Sequence, residues 1–387
     1  MASYSPAATD FSALPPAVHR ASTIVFNDLK SFLARQTQFY DGYSYGQSGT
    51  PTYYELAHAI AELEGGGKAV LVPTGMAAIA LVNATVLKAG DHVLLPAGAY
   101  GSSLEALHRL FGKWGVSHSL YPNDAGAGVE SFIQANTRLL WLESPSSYFY
   151  ELQDVPALTA AARARGLRVA MDNSWATPLG FKPLAHRVDY SVQSLTKYAN
   201  GHSDLLMGSI TTRDETLYQG LRDTAEHLGY CVSSDDCFLV LRGLATLGLR
   251  LERQAASGLA VAEWLAQHPA VEGVYHPALP SDHGHALWKA QHTLGNGLLS
   301  FTLKQDGLEP VERFANALKM FKIGPGWGGT HSLVAAYPPQ DAATSTPISL
   351  DRWLIRLSIG LESASELLGD LAQALELATG LAHGPTR

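Results

Sequence analysis

The sequence is poor in cysteine, in charge and in long apolar runs. Two cysteines, Cys231 and Cys237, occur in 387 residues. That is too few for a disulfide framework, and their spacing is wrong for a zinc knuckle. Both are expected to be ordinary buried thiols. Charged residues make up only 16%, with a formal net charge of -8 and a pI near 6.0. This balance gives no long-range attraction to nucleic acid or to an anionic membrane. No 18-residue apolar run occurs, and no basic start leads into an apolar segment, so neither a membrane span nor a secretion signal is expected. The cytoplasm is the expected location, and small molecules are the expected partners.

Hydrophobic residues make up 46% of the chain, enough to bury a large core, and the length predicts two packed domains. Residues 1–50 are rich in Ser, Thr, Tyr, Gly and Pro and read as an extended arm that reaches a neighbouring subunit. Leu56, Ala59, Ile60 and Leu63 recur at helical spacing and stop at Gly65–Gly67. Short apolar runs then read as buried strands: Ala69–Val72, His92–Leu95, Leu139–Leu142 and Leu167–Met171. Helical stretches separate them at Met76–Leu87, Ser102–Trp114 and Val155–Arg165. Such alternation predicts an α/β fold, a mostly parallel central sheet flanked by helices. Asp235–Gln267 predicts one long or two joined helices bridging to a smaller C-terminal α/β domain, with strands at Leu298–Leu303 and Leu354–Ile359 and helices at Glu309–Ala317 and Ala364–Leu377. The expected division is an arm at 1–50, a large domain at 51–245 and a C-terminal domain at 246–387.

The stretch most informative about chemistry is SVQSLTKYANGHSD, Ser191–Asp204. Lys197 follows a short strand-like run and is flanked by hydroxyls at Ser194 and Thr196. An amine that captures a carbonyl must be partly desolvated, and nearby hydroxyls suit a phosphate. Asp172 closes the run LRVAMDN, and ligands of α/β sheets sit at the carboxyl ends of strands. There a carboxylate keeps a pyridine nitrogen protonated, although Asp at a strand end is equally often a helix cap. In PTGMAAIA, Pro73–Ala80, a strand turns through Gly75 and Met76 into a helix, whose first N–H groups bind phosphate. Tyr100, just past a strand, suits ring stacking or plain packing.

Together these motifs resemble the pyridoxal 5′-phosphate (PLP) enzymes of cysteine and methionine metabolism, and within them the bacterial cystathionine beta-lyases. The likeness runs from about Phe26 through YGQSGTPT, WLESPSS, MDNSWATP, QSLTKYANGHSD, LRGLATLGLRL and LIRLSIGLE. It implies PLP fold type I with Lys197 as the Schiff-base lysine and Asp172 as partner of the pyridine nitrogen. Gly75, Met76, Ser194 and Thr196 become phosphate donors, and Tyr100 a ring-stacking tyrosine that helps steer proton transfer. Arg356 grips the substrate carboxylate, and Trp327 walls the substrate site. Tyr45 crosses from the adjacent subunit to the phosphate and the substrate, so a homodimer is the minimal unit, paired into a homotetramer. The implied reaction is β-elimination at a carbon–sulfur bond, with L-cystathionine giving homocysteine, pyruvate and ammonia. Its alternatives are a gamma-lyase or gamma-synthase of the family, a lyase acting on another thioether or cystine, and an aminotransferase.

Three departures from the family pattern bear on the site. Gln47 stands where many relatives carry an arginine on the phosphate, Gly326 replaces a serine before the tryptophan, and Tyr148, Phe149 and Tyr150 replace smaller or more flexible side chains. A charge-assisted bond contributes roughly 1.5 to 3 kcal/mol and a neutral one about half as much, so Gln47 weakens that contact. His276, His283, His285 and His292 cluster in a proline-rich connection but lack carboxylates or cysteines to complete a metal site. They are expected to be surface or capping residues, and no metal is expected.

Overall fold

Seven short strands make the first sheet of the structure, a computed structural model that describes residues 14–339 and 351–380. They are β1 (Lys68–Val72), β2 (His92–Pro96), β3 (Ser117–Tyr121), β4 (Thr137–Glu143), β5 (Arg168–Asp172), β6 (Tyr190–Ser194) and β7 (Gly208–Thr212). Their order is β1-β7-β6-β5-β4-β2-β3, with β7 antiparallel to both neighbours and the others parallel. Both faces are covered by helices, so the strands carry apolar residues on both sides. Val93, Leu95, Leu139 and Trp141 enter one core with the helices Gly75–Val86 and Glu215–His227. Leu94, Leu140, Leu142 and Met171 enter another with the helix Val155–Ala164. Each fully buried Leu or Val contributes about 1.5–3 kcal/mol, which fixes the strand order and therefore the one edge where the strand ends converge.

The second sheet holds β8 (Val271–Tyr275), β9 (Leu298–Leu303), β10 (Lys322–Ile323), β11 (Leu333–Tyr337) and β12 (Leu354–Ser358), in the order β10-β11-β12-β9-β8. The helices Leu308–Ala317 and Ala364–Thr379 cover it through Phe314, Leu371 and Leu375, which meet Phe301 and Leu357. Asp235–Gln267 resolves into two helices, Ser234–Leu244 and Leu247–Gln267. Among the described residues no helix is long and apolar enough to cross a membrane.

Several expectations need correction. The predicted helix Ser102–Trp114 ends at Arg109 and continues as a 3-10 turn from Phe111 to Trp114. The arm is not wholly extended: a short helix, Leu29–Leu33, sits under an Asp28 cap, while residues 1–13 of that expectation lie outside the described residues. Cys237 is buried but Cys231 is exposed. His276 and His292 are buried rather than superficial: His276 lies against the Asn296 carbonyl at 3.5 Å, and His292 stacks on the Phe181 ring at 5.1 Å. Burial pushes both imidazoles down to about 4. No metal-binding cluster of His, Cys, Asp or Glu exists among the described residues.

The end of the arm is pinned by a buried cation. Arg222 donates to Tyr53 Oη at 3.0 Å, to the Phe39 carbonyl at 3.3 Å and to the Ser48 carbonyl. Tyr53 and Tyr54 lie within 6 Å of its guanidinium carbon, the arrangement in which ring faces attract a cation.

Candidate active site

The strand ends of the first sheet open into a cavity of about 540 Å³ that also reaches the second sheet. It brings together Lys197, Asp172, Gly75, Met76, Ser194 and Thr196, and with them Tyr100, Trp327 and Arg356. Lys197 sits in the turn after β6, where its N–H donates to the Ser194 carbonyl at 3.1 Å and its carbonyl accepts from Gly201 at 2.8 Å. Its Nζ lies 5.0 Å from the Trp327 ring centroid. Burial and then the positive charge of Arg356 lower its pKa, while Asp172 pulls the other way. The amine therefore loses its proton more readily than a surface lysine. Gly328, at φ +82, lets the loop bearing Trp327 lie on this turn, since a Cβ there would fall 2.8 Å from the Tyr198 nitrogen.

Asp172 is the last residue of β5, and its Oδ1 accepts from the Ser174 N–H at 2.9 Å. Burial raises its pKa against the help of Ser174 and Lys197. Such a carboxyl is starved of positive charge, and a cationic N–H donor placed against it would restore its ionised form.

Gly75 opens the helix Gly75–Val86 under a Thr74 cap that accepts from Ala77 N–H at 2.9 Å. The first N–H groups of a helix have no acceptor within it. A Cβ at Gly75 would stand 2.8 Å from Ser194 Cβ and 2.9 Å from its Oγ, so glycine alone lets the helix start close on this hydroxyl. Main-chain donors, a hydroxyl, an amine and a carboxyl thus line one cavity. This donor set fits a phosphate-bearing pyridine aldehyde. Thr196 is more committed than expected, because its hydroxyl donates to the Met207 carbonyl at 3.2 Å and accepts from the Met207 N–H at 3.1 Å.

Arg356 comes from β12, directly opposite Ala335 of β11. It donates to the Pro325 carbonyl, and its guanidinium carbon lies 5.3 Å from the Tyr337 ring. Neither contact neutralises its charge, which leaves the fork available for a planar carboxylate. Tyr148, in the left-handed region at φ 69, meets Tyr337 edge-on at 5.0 Å. Tyr150 shares a hydrogen bond with Ser300 at 3.0 Å.

Tyr45 and Gln47 do not line the cavity of their own chain. Tyr45 is 51% exposed, and the Gln47 amide donates to the Glu226 carbonyl at 3.1 Å. Sequence reasoning missed Glu143 and Tyr337. Glu143 ends β4 beside Asp172, and the rule that selected Asp172, an acid closing a buried strand, applies to it equally.

The sequence model of the Cys/Met metabolism PLP-dependent enzyme family matches residues 3–376. The chain is 38% identical over 366 residues to cystathionine beta-lyase MetC of Escherichia coli, covering 93% of this chain and 92% of that protein. It is 39% identical over 370 residues to a cystathionine beta-lyase of Bordetella avium, covering 93% and 91%. Among solved structures, cystathionine gamma synthase of Xanthomonas oryzae in complex with cystathionine superposes with a TM-score of 0.87 at 33% identity, over 96% of this chain and 95% of that one.

Proposed function

Since the chain belongs to the PLP-dependent enzymes of Cys/Met metabolism and has their fold type I architecture, we propose that it performs β-elimination on L-cystathionine. One water is consumed, and homocysteine, pyruvate and ammonia are released. The observation that carries this reading is the meeting of Lys197, Asp172 and the Gly75 helix start in one cavity with Arg356. Bound PLP supplies an aldehyde that takes up amino groups and a protonated ring that accepts the electron pair left at Cα.

The side chains have separate tasks. Gly75 and Met76 N–H groups and the Ser194 hydroxyl hold the phosphate at the helix start, where the backbone dipole favours negative charge. Thr196 adds to them only by turning its hydroxyl from Met207. Asp172 would hold the proton on the pyridine nitrogen of the bound cofactor, and Tyr100 would flank its ring. Arg356 takes the substrate α-carboxylate in two parallel hydrogen bonds and so turns the Cα–H bond toward Lys197. The Lys197 amine, its pKa lowered by burial and by Arg356, removes the Cα proton and delivers one to the departing sulfur. Trp327 shields that amine from water.

Tyr45 faces outward from its own chain, which supports a dimer in which it serves the neighbour's phosphate, Gln47 joining it only by turning its amide from the Glu226 carbonyl, with two dimers pairing into a tetramer working in the cytoplasm. The likeness to a cystathionine gamma synthase favours one second reading, chemistry at Cγ on the same cofactor contacts. Incubating the holoenzyme with a panel of sulfur amino acids decides between them. Pyruvate with homocysteine is expected, whereas 2-oxobutyrate would replace the β reading. Release of no oxo acid would end the β reading.

A further inference from the structure

Glu143 has no part in the chemistry described so far, yet it stands in the same cavity. It is the last residue of β4 and lies in register with Asp172, the last residue of the parallel strand β5. Registered side chains of neighbouring parallel strands project to the same face, so two carboxyls stand side by side at the strand ends. Both Glu143 oxygens are engaged. Oε2 accepts from the Tyr100 N–H at 2.8 Å, and Oε1 accepts from the Ser147 hydroxyl at 2.7 Å. Tyr100 heads the helix Gly101–Arg109 with no cap from its own side chain. Ser147 is tied in turn to the Gly98 carbonyl by its N–H at 3.0 Å. One carboxyl therefore fastens two loops, 97–100 and 144–150, that make one side of the cavity.

We propose that Glu143 is a positioning residue that clamps Tyr100 and Ser147 as two jaws against the cofactor ring held by Asp172. Tyr100 is 44% exposed, so packing alone does not set its ring. A glutamate reaching back to the N–H of a helix-leading residue does what the acid of a capping box does, here from a different strand. Burial and the neighbouring Asp172 both raise the pKa of Glu143. The hydrogen bonds from Ser147 and Tyr100 oppose that rise, since both favour the charged carboxylate. The positively charged group facing the pair is Lys197, which acts on Asp172.

This inference rests on Asp172 and Tyr100 flanking the ring, and the test separates the two ideas. Apo protein would be titrated with PLP and followed by visible absorbance and by circular dichroism of the cofactor band, for wild type, Glu143→Gln, Glu143→Ala, Tyr100→Ala and the Tyr100→Ala/Glu143→Ala pair. Glu143→Ala should weaken PLP binding at least about tenfold, which is about 1.4 kcal/mol, and reduce the dichroic band. Glu143→Gln, which keeps an acceptor for the Tyr100 N–H, should restore both. In the Tyr100→Ala background, Glu143→Ala should add less than about twofold, because residues acting as one unit are not additive. Full additivity, or a Glu143→Gln as damaged as Glu143→Ala, would overturn the clamp. If Glu143→Ala does not fold, the Gln variant and the Tyr100→Ala cycle with Ser147→Ala in its place decide the matter. Wild-type protein that shows no cofactor band sinks the underlying site instead.

Discussion

Replacing Gly75 by alanine adds one carbon where the helix start and Ser194 approach each other in the cavity lining. The new Cβ would stand 2.8 Å from Ser194 Cβ and 3.3 Å from its Cα. Ser194 closes β6, which is bonded on both sides by β5 and β7, so its main chain cannot yield easily. The helix start must lift instead. Overpacking of this kind costs about 1–3 kcal/mol. The shift falls on the helix N-terminus that meets the phosphate, and the sheet core lies below it. Converted at about 1.4 kcal/mol per factor of ten, the dissociation constant for PLP should rise roughly 5- to 100-fold. Titration of apo protein with PLP, read by absorbance, measures this directly, and thermal melting of the apo form checks that the fold survives. Binding within about twofold of wild type would refute the claim that this close approach is the phosphate cradle. Equally, a loss of melting temperature with unchanged affinity would assign Gly75 to packing alone.

Other substitutions test the remaining parts of the site. Lys197→Ala should abolish both turnover and the visible band of the holoenzyme, and retained turnover would overturn the assignment. Arg356→Leu removes a bidentate, charge-assisted contact, so kcat/KM should fall by about 100-fold or more, mostly through KM. Removing that cation also removes one cause of the low Lys197 pKa, so the acidic limb of the pH–rate profile should move to higher pH; an unmoved limb would show that the two charges do not interact. Glu64 is fully buried, and burial pushes its carboxyl up to about 7. A carboxyl raised in the folded state contributes most below its unfolded value, and that contribution is lost as pH climbs through the folded one. Wild type should therefore lose a few kcal/mol relative to Glu64→Gln between about pH 5 and pH 8, measured by urea unfolding, and parallel stability curves would contradict it.

The first sheet was legible because its strands are continuous apolar runs ended by functional side chains. Val70–Val72 and Leu139–Leu142 are buried on both faces and leave no ambiguity of face. β3 and β7 were missed for a physical reason: Ser117–Tyr121 lies at the sheet edge and Gly208–Thr212 carries Ser and Thr inside the sheet, so neither reads as an apolar run. In the site, Lys197, Asp172 and Gly75 were legible from spacing and from the strand-end rule. Glu143 was hidden because Ser144 and Pro145 follow it and suggest a plain turn. Tyr337 was hidden because it meets Arg356 only through the pairing of β11 with β12, a long-range fact. The buried state of His276 and His292 escaped for the same cause, since polar residues in a proline-rich connection look solvated until distant stretches of chain cover them, as Phe181 covers His292.

The grip of Arg222 on the carbonyls of Phe39 and Ser48 makes the stretch between them a rigid prong rather than a tether. Its two roots share one charged anchor, so the tip bearing Tyr45 and Gln47 is already fixed before any second molecule arrives, and little disorder is surrendered on docking. Trimming the chain from its beginning should already be felt once the Ala17 and His19 carbonyls, which accept from Thr52 and Ser234, are removed, and should be more harmful past Phe39, where the buried cation loses one of its acceptors.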